Sequence, residues 1–322
     1  MDKVKKTFVI LVFLSYFLAG CAGGKNSESA NKIETAKEEI ILAVGNEPET
    51  GFDPTLGWGQ YGSPLFQSTL LKRDNNLKIT YDIATSYQVS EDGRVWSVKL
   101  RDDVMFSDGK ALTAEDVQFT FETALGSGSV LDLNILEKVV VKDSTTVEFH
   151  LQHANSTFIH SLLTLGIIPR HAYGDDYAEN PVGSGPYKLV QWDKGQQIII
   201  EANPNYYGKK PFFKRLTFLF LNEDAAFAAA KAGQVDIAYI PASFSKNQVP
   251  GMRLEAIQSI DNRGIMFPYT TSGEKTKDGQ AIGNDVTADI AIRKAINIGI
   301  DRQALVDGIL EGHGTPGYSV AD

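Results

Sequence analysis

The sequence predicts an α/β fold, and three observations carry that prediction. First, "RLTFLFL" (215–221), "EDAAFAAAKAG" (223–233) and "QVDIAYI" (234–240) run strand, helix, strand. That order suits a right-handed crossover in a parallel or mixed sheet. Second, two hairpin patterns flank one capped helix between residues 86 and 151. Third, a 322-residue chain with 43% hydrophobic content can build two cores.

Taken in chain order, the first strand is "EEIILAVG" (38–45). The following "NEPETGFDPTLGWGQYGSP" is rich in Gly and Pro, so it reads as a loop, with Phe52, Trp58 and Tyr61 expected to be exposed. "SYQVSEDGRVWSVKLR" (86–101) alternates on both sides of Asp92-Gly93, the mark of a hairpin turning at glycine. "VVVKDSTTVEFHL" (139–151) is a second hairpin, turning at Asp143-Ser144. Between them, Thr113 stands three residues before Asp116, as in a capping box, and Val117, Phe121 and Ala124 continue at helical spacing. "STFIHSLLTLG" (156–166) fits another helix, and a third hairpin turns at Lys194-Gly195. "VTADIAIRKAINIGIDRQALVDGILEG" (286–312) predicts two helices, the second capped by Asp301.

The N-terminus carries an address. Lys3, Lys5 and Lys6 precede an apolar run from Phe8 to Leu18, which is short for a membrane span and ordered like a secretory signal peptide. Cys21, the only cysteine, closes "LAGC", which resembles the lipobox of bacterial lipoproteins, where the cysteine is acylated and becomes the new N-terminus. Acyl chains stabilise attachment by about 0.8 kcal/mol per buried methylene, and stable anchoring needs more than one chain. The expectation is a lipid-anchored body on the outer face of the cytoplasmic membrane. The next residues, "AGGKNSESANKIETAKEE", are small and polar and read as a flexible tether.

Without residues 1–20, 28 basic residues face 39 acidic ones, a net charge of −11. That balance argues against nucleic acid or anionic lipid as the main partner. With no second cysteine, neither a disulfide framework nor thiolate catalysis is available to the mature chain.

Several segments together resemble family 5 of the extracellular solute-binding proteins, the peptide and nickel receptors of ATP-binding-cassette importers. The strongest is "WSVKLRDDVMFSDGKALTAEDVQFTF" (96–121), joined by "PVGSGPYKL" (181–189), "EANPNYYGKKP" (201–211), "AGQVDIA" and "IRKAINIGIDRQALVDGILEGHGTP" in family order. Ser184 stands where the family more often has threonine, and Tyr207 where it has tryptophan. The resemblance implies a type II periplasmic-binding-protein architecture, two-lobed, with an extra α+β subdomain inserted in the first lobe. It divides the chain into a signal peptide (1–20), a tether (21–38), a first lobe (39–62 and 180–262), the extra subdomain (63–179) and the start of a second lobe (263–322). Family members run longer, so the second lobe is expected to be incomplete, in a fragment or truncated reading frame.

The implied function is capture of oligopeptides or dipeptides by hinge closure, and delivery to permease subunits and their ATPases. The alternative is a nickel or metal-chelate receptor, with the chelate as ligand and no resident cofactor. A monomer is expected. Gly183, Ser184, Gly185 and Pro186 are hinge or turn candidates, alongside an ordinary buried turn; the stretch 259–267 is a second crossing. Phe52, Trp58 and Tyr61 are cleft candidates, set against simple packing of their own loop. Arg263, Phe267 and Tyr269 follow the second crossing and join the candidates.

No metal ligand set can be assigned. His150 and His153 are expected on one strand and opposite faces, and His160 in a core or interface. A histidine reaching a chelated metal would be expected past Asp322. An extracellular serine hydrolase is the rival class, yet "GSGPY" lacks the G-x-S-x-G elbow because Val182 stands two residues before Ser184. A signalling receptor or peptide-scavenging chaperone would share the fold.

Overall fold

The computed structural model describes residues 37–62, 64–127, 131–257 and 262–318. The readings that fall on residues 1–36, Cys21 among them, lie outside the described residues.

The chain opens with β1 (Glu39–Val44), and a long loop leads to the short pair β2 (Leu71–Arg73) and β3 (Ile79–Tyr81). Then come β4 (Ala84–Val89), β5 (Val95–Leu100), α1 (Ala114–Gly126), β6 (Leu136–Asp143) and β7 (Thr146–Leu151). These four strands form an antiparallel sheet in the order β4-β5-β7-β6. Alternation places Trp96, Val98 and Leu100 of β5 and Val147, Phe149 and Leu151 of β7 in one core. α1 lays Val117, Thr120, Phe121 and Ala124 over it. The expected cap is present: the Thr113 backbone N–H donates to Asp116 Oδ2 at 2.9 Å. α2 (Ile159–Thr164) adds Leu162 and Leu163.

The chain then returns through β8 (Tyr187–Asp193), β9 (Gln197–Ala202) and β10 (Arg215–Phe220), followed by α3 (Glu223–Lys231) and β11 (Ile237–Ala238). With β1 they make a mixed sheet in the order β11-β1-β10-β9-β8. β1 is parallel to both β10 and β11, so the strand–helix–strand crossover passes over β1. α3 buries Ala226, Ala229 and Ala230 near Ala43, where small side chains let helix and sheet approach closely. The strand expected at 234–240 shrinks to two residues, because it sits at the sheet edge with one neighbour.

The last part holds β12 (Glu274–Lys275), β13 (Ala281–Ile282), α4 (Asp285–Ala288), α5 (Ile290–Gly299) and α6 (Arg302–Ile309). Asp301 caps α6 by accepting from the Ala304 N–H at 3.0 Å, as expected. Among the described residues of this part only Val306 is a buried hydrophobic, and Ile290, Ile298 and Ile309 are exposed. This part therefore lacks a core of its own.

The two main cores exchange between Phe66, which packs with Phe52 and Ile200, and Leu70, which packs with Phe106 and Phe121.

Candidate functional site

The loop that follows β1 folds back over the five-stranded sheet because its aromatic residues seek the apolar face. Phe52 is fully buried, edge-on to Trp58 at 4.9 Å and to Phe66 at 5.0 Å, with Trp192 at 4.8 Å. The expectation of an exposed, cleft-lining Phe52 is corrected: its ring is core. Trp58 is half-buried, stacks on Phe66 and donates Nε1–H to the Pro64 carbonyl at 2.8 Å. Tyr61 alone stands free, 96% exposed, between residues that bend the loop.

Beneath the loop lies a polar clamp that the sequence reading did not single out. Asp53 is buried and accepts from the Thr55 N–H (2.8 Å), the Thr55 hydroxyl (2.7 Å) and the Tyr173 hydroxyl (2.9 Å). Gln67, also buried, donates to the Phe52 carbonyl at 3.1 Å and the Tyr177 hydroxyl at 3.0 Å; Tyr177 donates onward to the Val182 carbonyl at 2.7 Å. Burial pushes the Tyr177 phenol far above its ordinary range, so this hydroxyl stays a donor throughout the physiological interval. The clamp ties the aromatic loop to the inserted subdomain. Asp53-Pro54 was its available signal, since Asp before Pro is a common helix-start pair.

The Gly183–Pro186 segment is a seam. Gly185 donates to the Phe66 carbonyl at 2.7 Å, Ser107 donates to the Gly183 carbonyl at 2.8 Å, and Ser68 Oγ donates to the Ser184 carbonyl at 3.2 Å. A Cβ on Gly183 would lie 2.0 Å from the Phe66 carbonyl oxygen, and one on Gly185 would lie 2.3 Å from that of Leu65. The geometry is that of the buried turn the sequence allowed beside the hinge reading. The glycines serve close backbone approach, and both strands of the seam are fixed to the same body. Ser184 is wholly buried, its Oγ beside the Ser68 N–H at 3.4 Å, a position no substrate reaches.

Arg263 and Tyr269 are exposed and Phe267 half-buried. Among the described residues no ring contact, ion pair or hydrogen bond joins them to the aromatic loop. Two histidine expectations change. His153 lies past the end of β7, so it shares no strand with His150, and His160 is exposed instead of packed. His150 Nε2 meets Glu148 Oε2 at 3.2 Å, and His171 Nε2 meets Asp108 Oδ2 at 2.6 Å. No group of three metal-ligating side chains occurs among the described residues.

A depression of about 400 Å³ runs along the open edge of β8, lined by Asp108, Asn180, Lys188 and Trp192 among others. Its charges are already matched: Lys188 with Glu201, Lys194 with Glu179, Asp108 with His171. It offers no unpaired anchor to a ligand.

A mixed sheet with a strand–helix–strand crossover, interrupted by a separate α+β unit, defines a type II periplasmic binding protein, and solved structures agree. The chain matches NikZ from Campylobacter jejuni in complex with Ni(L-His) with a TM-score of 0.75 and 27% identity, over 86% of this chain and 56% of that one. It matches AppA from Bacillus subtilis in complex with a nonapeptide with a TM-score of 0.68 and 26% identity, over 85% and 56%. Residues 78–322 match the bacterial extracellular solute-binding proteins, family 5 Middle. The chain belongs to that family. It is also 34% identical to protein XP55 of Streptomyces lividans over 88% of this chain and 52% of the relative. Identity to the oligopeptide-binding protein AppA of Bacillus subtilis is 29%, over 96% and 59%. The chain spans between half and three fifths of the length of these relatives.

Proposed function

We propose that this protein is the extracytoplasmic solute-binding component of an ATP-binding-cassette importer and captures oligopeptides or dipeptides. The observation that carries the reading is family membership over residues 78–322, joined to relatives described as oligopeptide- and D,D-dipeptide-binding. It performs no covalent chemistry and holds no resident cofactor. Closure of a second lobe over the sheet that carries the aromatic loop would bury the solute. Tyr61, free at the loop's tip, is the first-lobe contact we assign, with Trp58 braced behind it. Arg263, Phe267 and Tyr269 are assigned to the opposing side.

Cys21 is proposed as the acylated anchor, holding a monomer on the outer face of the cytoplasmic membrane beside its permease. A tether raises the local concentration of receptor at its importer without any new contact.

A nickel-chelate ligand is the second reading, favoured by the likeness to NikZ bound to Ni(L-His). Isothermal titration separates the two. Di- to nonapeptides are expected to release or absorb heat with saturation, and Ni²⁺ with histidine to give dilution heat only. Saturable heat from the chelate alone would overturn the peptide reading, and heat from neither would remove both.

A further inference from the structure

The loop between β9 and β10 has no part in the site above and joins exposed lysines to an exposed aromatic ring. It contains Lys209-Lys210-Pro211-Phe212-Phe213-Lys214. Lys209, Lys210 and Lys214 are exposed, and neither Lys209 nor Lys210 has an ion-pair partner among the described residues. Phe212 is 68% exposed. Phe213, edge-on to it at 5.0 Å, packs on the core of the five-stranded sheet, and its carbonyl accepts from the Tyr187 hydroxyl at 3.0 Å. The exposed ring is thus presented on a braced support.

This loop also sits where the N-terminal segment joins the body. The Lys214 N–H donates to the Glu38 carbonyl at 2.7 Å, Lys214 Nζ pairs with Glu38 Oε2 at 2.7 Å, and Glu39 is in register with Arg215. Lys37 pairs with Asp236, Lys214 with Glu38, and Arg215 is in register with Glu201, so the uncompensated positive charge of this end lies on Lys209 and Lys210. Cys21 precedes Glu39 by 18 residues. Even fully extended, that stretch reaches no more than about 65 Å. A lipid on Cys21 therefore keeps this end of the sheet near a bilayer.

Basic side chains around an exposed phenyl ring are the chemistry of a bilayer surface: ammonium groups meet lipid phosphates while the ring enters the headgroup boundary. We propose that Lys209, Lys210 and Phe212 form a second, reversible contact with anionic lipid that orients the tethered body. The proposal rests on the lipid-anchor reading given above. Because the body as a whole is negative, the contact depends on the tether for proximity and weakens as salt screens it. β10 spans six residues, about 20 Å at strand rise, so contact here turns the Lys194-Gly195 end of the sheet away from the bilayer.

The test uses the full chain isolated from membranes after labelling with radioactive palmitate. Phe212→Cys, carrying an environment-sensitive fluorophore, is compared with a label at Gln196→Cys beside the far turn. On phosphatidylglycerol-containing vesicles at low salt the 212 label is expected to brighten several-fold and shift to the blue. It should remain water-like on phosphatidylcholine vesicles, at high salt and in K209E/K210E, while the 196 label stays unchanged throughout. Palmitate incorporation with equal 212 emission on both vesicle types overturns the contact alone. No palmitate incorporation overturns the anchor and, with it, the contact. A 212 label that responds only when permease is present assigns the loop to a protein partner and likewise overturns the lipid contact.

Discussion

At the scale of single residues, the glycines of the seam show how one missing methyl group decides a fold. Gly183 and Gly185 each bring backbone inside the distance any Cβ would tolerate, whereas Gly195 needs a positive φ of 74° with open space around it. Gly183→Ala must displace the Phe66 carbonyl, and a cost of about 3 kcal/mol is expected from overpacking of this severity. Gly195→Ala should cost only about 1 kcal/mol, the price of an L-residue in the left-handed region. Urea midpoints of the two variants check the contrast. Asp108 gives a pH prediction. Burial works against its charge, but the His171 bond and the Lys110 N–H outweigh that and hold the carboxyl below the usual carboxylate range. Its folded value is below its unfolded one, so its contribution is present above the unfolded value and lost as pH falls through the folded one. Urea midpoints are expected to fall on acidification below pH 4, and less steeply in Asp108→Asn.

At the scale of elements, the cap of α1 and the alanines of α3 carry the testable weight. Thr113→Ala removes the cap side chain while leaving the Thr113 backbone donor, so a loss of about 1 kcal/mol is expected in thermal or urea unfolding. Ala226 shares a buried cluster with Ala43, Ala229 and Ala230, and Ala226→Leu adds three heavy atoms to it. A destabilisation of about 2 kcal/mol is expected, with α3 displaced from β1 and faster amide exchange in β11. Local patterning made most elements legible: hairpin alternation with glycine turns placed β4, β5, β8 and β9, and Thr113 and Asp301 marked helix starts. The strand at 234–240 was overestimated because apolar alternation cannot reveal how many neighbours a strand will have.

For the whole molecule, the prediction concerns linkage. A solute bound to the folded state and absent from the unfolded one stabilises it by about 2.7 kcal/mol at a hundredfold excess over Kd. Saturating peptide is expected to raise the thermal midpoint, and Tyr61→Ala to reduce the rise without lowering the unliganded midpoint. A midpoint unchanged by every peptide tested would remove binding by this chain alone. Small-angle scattering of the receptor with and without peptide checks closure at the same scale.

The sequence by itself determined the fold class, the order of its elements and the family, because alternation, helical spacing and turn chemistry are local and the family motifs are contiguous. Charge, apolar length and small residues in series also carry the proposed anchor at Cys21, a pattern that needs no folding to be recognised. Tertiary structure alone decided that Phe52 is core while Tyr61 is free, although both occupy one aromatic loop. It also decided that Gly183 and Gly185 make a seam, and that Asp53, Gln67, Tyr173 and Tyr177 converge. Burial and close approach depend on residues about 120 positions away in the chain, such as Tyr173 on Asp53 and Ser184 on Ser68. No local pattern encodes those partners; packing of the two cores against one another selects them.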